Sequence, residues 1–396
     1  MIPVRRIAML MLAAAAVAGS PDRARADAFA EAPAWDIAYS FSLRNWKLVR
    51  GSEELKISEI TSPLSITRRI NEGGNVALYL AGASATSDGE EKQDISGMQD
   101  ARLTWSQLLD GDRYHLRAGL GLPTGKAEIE SGSEIVSGVV SNRILGLRTK
   151  RYGEGFNAFA SGARAFAIGD DAVASFGAGF ERKGKYDFQV LNDETIEIQP
   201  GNEFFLEAGI DVAPGDLVAW SADIRYRLFG IDQRDGEDVY EEGDEIDLLG
   251  GVTITPSDIQ TFAIGARVIV KGDGSEVGGI GEGPLDSLSL DRYLTESLPG
   301  GMQRLSVDYA RRMNEVLHLL GRAGYRHYSE YSFPGEAPPT RLLGSAQVWE
   351  AGIGARFAPA PSLPVTLFLT YSNGNAEDAL IDISGIDLTL ALRWRQ

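Results

Sequence analysis

"GIDLTLALRWRQ" (residues 385–396) closes the chain with a strict alternation of side chains. Apolar residues occupy every second position from Ile386 to Trp394, with Asp387 and Arg393 among the residues between them. A period of two is typical of a β-strand, because successive side chains point to opposite faces. The alternation predicts a strand, but it fits both a soluble sandwich with one core face and a membrane barrel with one lipid face.

The first 28 residues have the features of a secretory signal peptide. Two arginines precede an apolar run over residues 7–18, and Ala26-Asp27-Ala28 forms a small-residue cleavage site. The run is too short to cross a bilayer as a helix. We therefore expect residues 1–28 to be cleaved and residues 29–396 to form one exported domain.

Composition narrows what this exported domain is. The chain has no cysteine, which excludes disulfides and cysteine metal sites. Its net charge is −18, and removal of residues 1–28, which carry +2, leaves −20, a balance that argues against nucleic acid as a partner. No later segment approaches eighteen consecutive apolar residues, so we expect no transmembrane helix. The 46 glycines and 43% hydrophobic content fit an all-β chain.

Alternating runs predict sixteen strands, and the connections between them alternate in length. The strands are expected at residues 35–48, 61–70, 75–85, 98–109, 113–122, 154–168, 172–182, 202–212, 217–229, 244–254, 259–271, 301–311, 316–328, 346–357, 364–372 and 381–394. Tight turns such as "NEGG" at 71 alternate with longer connections, including 49–60, 86–97 and 123–153. Pro63 weakens the second strand because it cannot donate to a ladder, so fourteen strands is the alternative.

This alternation of turns and loops is typical of an up-and-down barrel in the outer membrane of a Gram-negative-type bacterium. Such barrels combine short periplasmic turns, long extracellular loops and an even number of strands. A Greek-key sandwich has no reason to keep its long connections at one end. We expect an all-β transmembrane antiparallel barrel of sixteen strands with both termini periplasmic. Only about six residues precede the first strand, so no plug domain is expected.

Aromatic side chains on the apolar parity of the strands predict two interfacial girdles. The girdle residues are Trp35, Trp105, Tyr114, Trp220, Tyr309 and Trp394 near the periplasmic ends, with Tyr325, Trp349 and Tyr371 near the outer ends.

The opposite parity of the strands is charged, and unpaired charges cannot fill a dry core. The predicted pore-lining residues are Arg102, Arg117, Glu203, Glu207, Asp223, Arg225, Arg227, Arg304, Asp308, Arg322, Arg326, Glu350, Arg356, Asp387 and Arg393. A sixteen-stranded barrel is wide enough for an aqueous channel. A lumen sealed by paired charges and loops is the alternative.

In this architecture the chain resembles bacterial outer-membrane porins. Their third loop folds inward as a constriction, and the third long connection is also the longest here. The resemblance implies a constriction formed by Lys126, Glu128, Glu130 and Glu134, facing arginines of the wall. "GLGLPTGK" at 119–126 is also similar to a stretch in a family of outer-membrane channels linked to phenol meta-pathway degradation.

We expect a channel for passive diffusion of small polar or amphipathic solutes. The alternatives are a specific transporter of hydrophobic or aromatic compounds and a non-conducting barrel that anchors surface loops for adhesion. Only His115, His318 and His327 are neutral-range bases, and no triad is evident, so we expect no enzymatic activity. The acidic run at 230–247 lacks EF-hand spacing, so we expect no metal site and no cofactor.

The expected partners follow from this location. They are outer-membrane lipid and lipopolysaccharide, the barrel-assembly machinery and small solutes, but no nucleic acid. Association into a homo-oligomer is left open.

Overall fold

The structure is a computed structural model that describes residues 34–89, 92–127, 133, 136–137, 139, 143–149, 152–190, 194–272, 274–276, 300–329, 331–332, 342–343, 345–377 and 379–396. The signal peptide expected at residues 1–28 lies outside the described residues and stays a prediction. Within the described part, no helix is long and apolar enough to cross a membrane.

The described residues contain twenty-four strands. They are β1 (Trp35–Arg50), β2 (Glu53–Asn71), β3 (Gly74–Asp88), β4 (Lys92–Met98), β5 (Ala101–Leu109), β6 (Tyr114–Leu122), β7 (Asn157–Ile168), β8 (Ala172–Arg182), β9 (Tyr186–Val190), β10 (Glu194–Gln199), β11 (Glu203–Val212), β12 (Val218–Phe229), β13 (Ile231–Arg234), β14 (Glu237–Glu241), β15 (Glu245–Ser257), β16 (Gln260–Lys271), β17 (Ser275–Glu276), β18 (Met302–Arg312), β19 (Leu317–Tyr328), β20 (Tyr331–Ser332), β21 (Leu342–Leu343), β22 (Ala346–Phe357), β23 (Val365–Ala376) and β24 (Ile381–Arg395).

Seventeen of these strands form one closed antiparallel barrel. Both β4 and β5 pair with β3, β4 along Gly82–Asp88 and β5 along Gly74–Tyr79, so together they occupy one position in the wall. The ring closes where β1 pairs with β24, from Asp36 opposite Arg395 to Val49 opposite Asp382. The wall therefore has sixteen positions. The predicted sixteen-stranded barrel is confirmed, and the fourteen-stranded alternative is wrong.

The second strand forms despite its proline. In its pairing with β1, β2 passes from Thr61 to Leu64 and skips Pro63, whereas Pro63 remains opposite Ala81 of β3. A proline has no N–H to donate, so it is tolerated where one ladder is interrupted.

The first two long connections predicted from the sequence are wrong. Residues predicted as loops at 49–60 and 86–97 instead extend the strands, and β1 and β2 meet at a turn over residues 51–52. In these extensions the apolar parity faces inward: Trp46, Leu48, Leu55 and Ile57 are all buried. The strands continue because this inner apolar face is covered.

The outer surface of the barrel carries a broad band of exposed apolar side chains. Ile353 is 72% exposed and Trp349 is 61% exposed, and both point outward from β22. An apolar band of this kind on a barrel exterior fits the hydrocarbon core of a bilayer. Beyond the band the pattern reverses on the β1–β2 hairpin, where Lys47 and Lys56 point outward and are exposed. This reversal marks where the wall leaves the apolar layer.

The buried core lies inside the barrel, in its half with the long connections. It forms one cluster of 18 buried hydrophobic residues, drawn from β1, β2, β3, β4, β19, β22, β23, β24 and the connection between β6 and β7. At the same end, β9, β10, β13, β14 and β17 form a separate five-stranded sheet, and β20 pairs with β21.

Candidate functional site: the lumen and the loop that crosses it

The candidate site is the inner wall of the barrel together with the connection between β6 and β7, here called loop 3 (residues 123–153). Alternation along each strand places one set of side chains in the lumen. Neighbouring inward charges pair across the ladder: Arg225 donates to Glu207 at 2.8 Å, Arg322 to Asp308 at 2.6 Å and Arg326 to Glu350 at 2.8 Å.

The most connected ion pairs lie on β11, β12, β15 and β16. Arg227 contacts Glu203 at 3.5 Å, Glu245 at 2.9 Å and Asp247 at 3.7 Å. Arg267 binds both oxygens of Asp247, at 2.8 and 2.7 Å. Glu245 and Asp247 are buried, and a buried carboxylate is tolerated only when it is paired in this way. This cluster fixes the charges of one side of the lumen.

A second group of ion pairs lies at the seam between β1 and β24. Arg44 contacts Asp387 at 2.8 Å, and Arg393 contacts Asp36 at 2.5 Å. Because these pairs join the first and last strands, they also help to hold the barrel closed.

Four of the predicted pore-lining arginines have a different environment. Arg102, Arg117, Arg304 and Arg356 have no carboxylate within 4 Å among the described residues. Arg117 lies over the ring of Phe159, 5.9 Å from its centroid. Arg304 is opposite Arg267 on one side and Arg326 on the other. Among the described residues, the positive charge on β5–β6 and on β18 therefore has no paired carboxylate, and these strands are opposite walls of the ring.

Loop 3 is fixed to the wall at β1 and β2 by polar contacts. Arg44 donates to the carbonyl oxygen of Gly146. The buried carboxylate of Glu59 accepts the backbone N–H of Arg148 at 3.1 Å and that of Thr149 at 2.8 Å. Arg148 also donates to Thr389 of β24 at 3.0 Å.

A second set of contacts joins loop 3 to the far wall. Arg143 contacts Glu245 at 3.5 Å and Glu242 at 3.7 Å, and its carbonyl oxygen accepts the hydroxyl of Tyr328 at 2.8 Å. Since β15 lies eight positions from β2 in the ring of sixteen, loop 3 crosses the lumen. Burial acts to raise the pKa of Glu242, but Lys271 and Arg143 more than offset it, so this pKa is lowered.

Apolar packing also holds loop 3 in place. Val136, Val139, Ile144, Leu145 and Leu147 are buried in the same cluster as the inward side chains of the β1–β2 hairpin. The loop is therefore held by a small hydrophobic core as well as by hydrogen bonds.

The predicted constriction residues fall at the beginning of loop 3. The backbone N–H of Lys126 donates to the carbonyl of Met98 at 3.1 Å, and its side chain packs beside Gly97. This places Lys126 against the wall at β4. Glu128, Glu130 and Glu134 lie outside the described residues.

The residues that anchor loop 3 were not predicted from the sequence. Arg44 was on the inward parity of a predicted strand, but Glu59 fell in a predicted loop and Arg143 and Arg148 fell inside loop 3. A signal for Glu59 was present, because "LKISEI" (residues 55–60) alternates like the strands.

The predicted girdle aromatics lie on the outward parity of their strands. Near the long connections, the rings of Tyr325 and Trp349 are 4.4 Å apart. Near the short turns, Tyr309 stacks on Phe262 at 4.8 Å and Arg68 lies 5.0 Å from the ring of Trp35. Trp105, Tyr114, Trp220 and Trp394 lie in this half too, and Tyr371 lies in the other half.

Comparison with known proteins gives structural likeness only. No protein-family model and no curated protein matches the chain. Among solved structures, OprD of Pseudomonas aeruginosa is 12% identical, with 92% of this chain and 97% of that chain covered and a TM-score of 0.40. An outer-membrane channel from Pseudomonas putida F1 is 10% identical, with 92% and 95% covered and a TM-score of 0.36.

The translocator domain of the autotransporter NalP from Neisseria meningitidis is 10% identical, with 99% of this chain and 96% of that chain covered and a TM-score of 0.35. At these TM-scores the likenesses carry no argument about function, which has to rest on the site itself.

Proposed function

We propose that this protein is an outer-membrane channel that allows passive diffusion of small polar or amphipathic solutes. The observation that carries the proposal is the charged inner wall, where arginines and carboxylates face a lumen wide enough to hold water. Ion pairs of this density require hydration or further pairing, since unpaired buried charge is costly. Loop 3 then acts as the constriction that limits solute size.

The location follows from the outer surface and the termini. The exposed apolar band fits a bilayer, and closed barrels with short turns at one end are typical of the outer membrane. Trp35 and Gln396 exchange backbone hydrogen bonds of 2.9 Å. The beginning of β1 and the end of β24 therefore lie together beside the short turns. In the proposed orientation, that end is periplasmic and the five-stranded sheet is outside.

Conductance tests the channel directly. Purified mature protein in planar bilayers is expected to give discrete conductance steps. A variant that lacks residues 128–150 is expected to insert normally and conduct more, because the loop that crosses the lumen is shortened. Folded protein that inserts and never conducts would remove the channel proposal.

A second candidate is a barrel that anchors surface structure for adhesion or interaction. The observation that favours it is the ordered five-stranded sheet built from three different connections at one end of the barrel. If the protein is such an anchor, the variant that lacks residues 128–150 does not conduct. Deletion of residues 186–199 then abolishes binding to cells or matrix. A channel predicts the opposite pattern, so the two deletions separate the candidates.

The inner wall gives less support to the function of a transporter of hydrophobic compounds. Such a protein needs an apolar passage and a lateral gap, whereas here the inner wall is charged and the backbone ladder joins all sixteen positions. The barrel-assembly machinery remains a proposed partner in folding.

A further inference from the structure

An apolar groove lies on the outer, lipid-facing surface of the barrel, away from the lumen. It has a volume of about 460 Å³ and runs across β5, β6, β7 and β8. Its sides are formed by Leu103, Trp105, Leu120 and Phe180, of which Phe180 is 47% exposed. None of these side chains takes part in the proposed channel.

The register of the strands explains why the surface is recessed here. Ala118 of β6 lies opposite Ala160 of β7, and Ala160 lies opposite Phe180 of β8. Two alanines thus form a floor between the large side chains of Trp105 on one side and Phe180 on the other. Because large residues flank small ones on the outer wall, they leave a groove about one side chain deep.

The side chain of Arg182 places a positive charge at the end of this groove. Arg182 lines the groove and lies opposite Ala158, which is itself opposite Leu120. Among the described residues no carboxylate lies within 4 Å of Arg182, whereas Lys185 nearby is 2.6 Å from Glu197. As the last residue of β8, Arg182 is at the end of the barrel with the long connections.

The combination of an apolar groove and a cation without a carboxylate partner among the described residues complements an amphiphile with one anionic group. An acyl chain suits the groove, because it buries apolar surface against Leu and Phe side chains. Arginine matches phosphate by its planar, bidentate donor geometry, and such charge-assisted hydrogen bonds are the strong ones.

We propose that the groove binds an acyl chain of a phosphorylated lipid of the outer leaflet, with the lipid phosphate on Arg182. The lipid class is the diphosphorylated, multiply acylated lipid A portion of lipopolysaccharide. This assignment rests on the proposed outer-membrane location, because that places the Arg182 end of the barrel in the outer leaflet.

The binding experiment uses the whole mature barrel in neutral detergent, with diphosphoryl lipid A as the probe and native mass spectrometry as the readout. R182Q removes the charge, and A160L fills the groove without changing charge. R182Q is expected to weaken binding about tenfold, since a hydrogen bond to a charged group is worth about that factor. A160L is expected to have an effect of similar size, because the acyl chain loses the apolar surface that it would bury in the groove. Phosphate-free lipid A is expected to bind wild type and R182Q equally.

Two matched variants test the location of the site. R164Q removes an outward arginine at the other end of β7, where Arg164 lies over the rings of Tyr114 and Phe166. A222L enlarges an outward alanine on β12, two strands beyond the edge of the groove on β8. Both are expected to bind lipid A like wild type. Equal loss in the controls would overturn the assignment, because binding would then be non-specific.

Other occupants give other results. If A160L abolishes a dimer and leaves lipid binding unchanged, the groove is a contact between barrels and the lipid proposal is wrong. Conductance measurements on R182Q and A160L test whether the lipid site is independent of the channel. Normal conductance together with lost lipid binding supports the inference. Wild-type protein that conducts but does not bind lipid A overturns the inference alone, and lipid binding without conductance overturns the channel alone.

Discussion

Gly146 illustrates how a single residue positions the constriction. Its φ of +59° is in the left-handed region, where a glycine is unstrained. Its carbonyl accepts Arg44 of β1, while a methyl group at this position would overlap Nη1 of Arg326 on β19. The residue therefore lies between two arginines from different walls, and a side chain there would displace Arg326.

Replacing Gly146 by alanine is expected to loosen loop 3. G146A carries the cost of a left-handed alanine, about 1–2 kcal/mol, and also displaces Arg326. G111A is the matched control, because Gly111 has the same φ of +59° and open space around its α-carbon. We expect both variants to lower the free energy of unfolding in urea, and only G146A to change single-channel conductance. Equal conductance in both would mean that Gly146 does not hold the loop.

Removing one acceptor is a second test at this scale. Glu59 is 1% exposed and accepts two backbone amides of loop 3. E59A leaves both donors without this partner, and the loss at the buried amide of Thr149 costs about 1–3 kcal/mol. We expect trypsin to cleave after Arg148 in E59A and to spare it in wild type. E53A, at an exposed position on the same strand, is expected to stay protected.

The direction of most pore-lining side chains could be predicted from sequence alone. Alternation decides on which face Arg225 or Asp308 lies, because the period of a strand is two. Pairing could not be predicted in the same way, since it depends on the register between strands that are distant in the chain. Arg44 and Asp387 are 343 positions apart and meet only because the barrel closes.

The β1–β2 hairpin is the element that the sequence pattern described incompletely. A loop was predicted at 49–60, directly after the first predicted strand. Here the strands continue beyond that point with their polarity reversed, because Leu48 and Ile57 pack on loop 3. The alternation in "WKLVRGSEELKI" (residues 46–57) is visible in the sequence. Its apolar face, however, is covered by a loop about 80 to 100 residues away in the chain.

Two isoleucines on β2 test this interpretation of the hairpin. Ile57 is fully buried against the loop 3 cluster, whereas Ile60 is 42% exposed on the outer face. I57A is expected to cost about 2–5 kcal/mol, expose loop 3 to trypsin and raise conductance. I60A removes the same atoms from the same strand and is expected to leave both readouts unchanged. Protection of loop 3 in I57A would show that the polar anchors suffice.

At the scale of the whole molecule, two charge distributions oppose each other. The mature chain expected from the sequence carries −20, which favours cations at the mouths. The inner wall instead presents Arg102, Arg117 and Arg304 without carboxylates within 4 Å in the described part. Charges on the exterior are screened over a Debye length of about 10 Å at 0.1 M salt, whereas charges facing a narrow lumen with low-dielectric walls act directly on a passing ion. The wall should therefore decide selectivity.

The reversal potential in a gradient of potassium chloride checks this conclusion. Wild type is expected to favour chloride, and the triple variant R102Q/R117Q/R304Q to shift the reversal potential towards that of potassium. A triple variant with the same change in net charge, R68Q/R113Q/R164Q, alters arginines that lie outside the lumen, over Trp35, in a turn and over Tyr114. It is expected to keep the wild-type value. Equal shifts in the two variants would show that the total charge, rather than the wall, sets the selectivity.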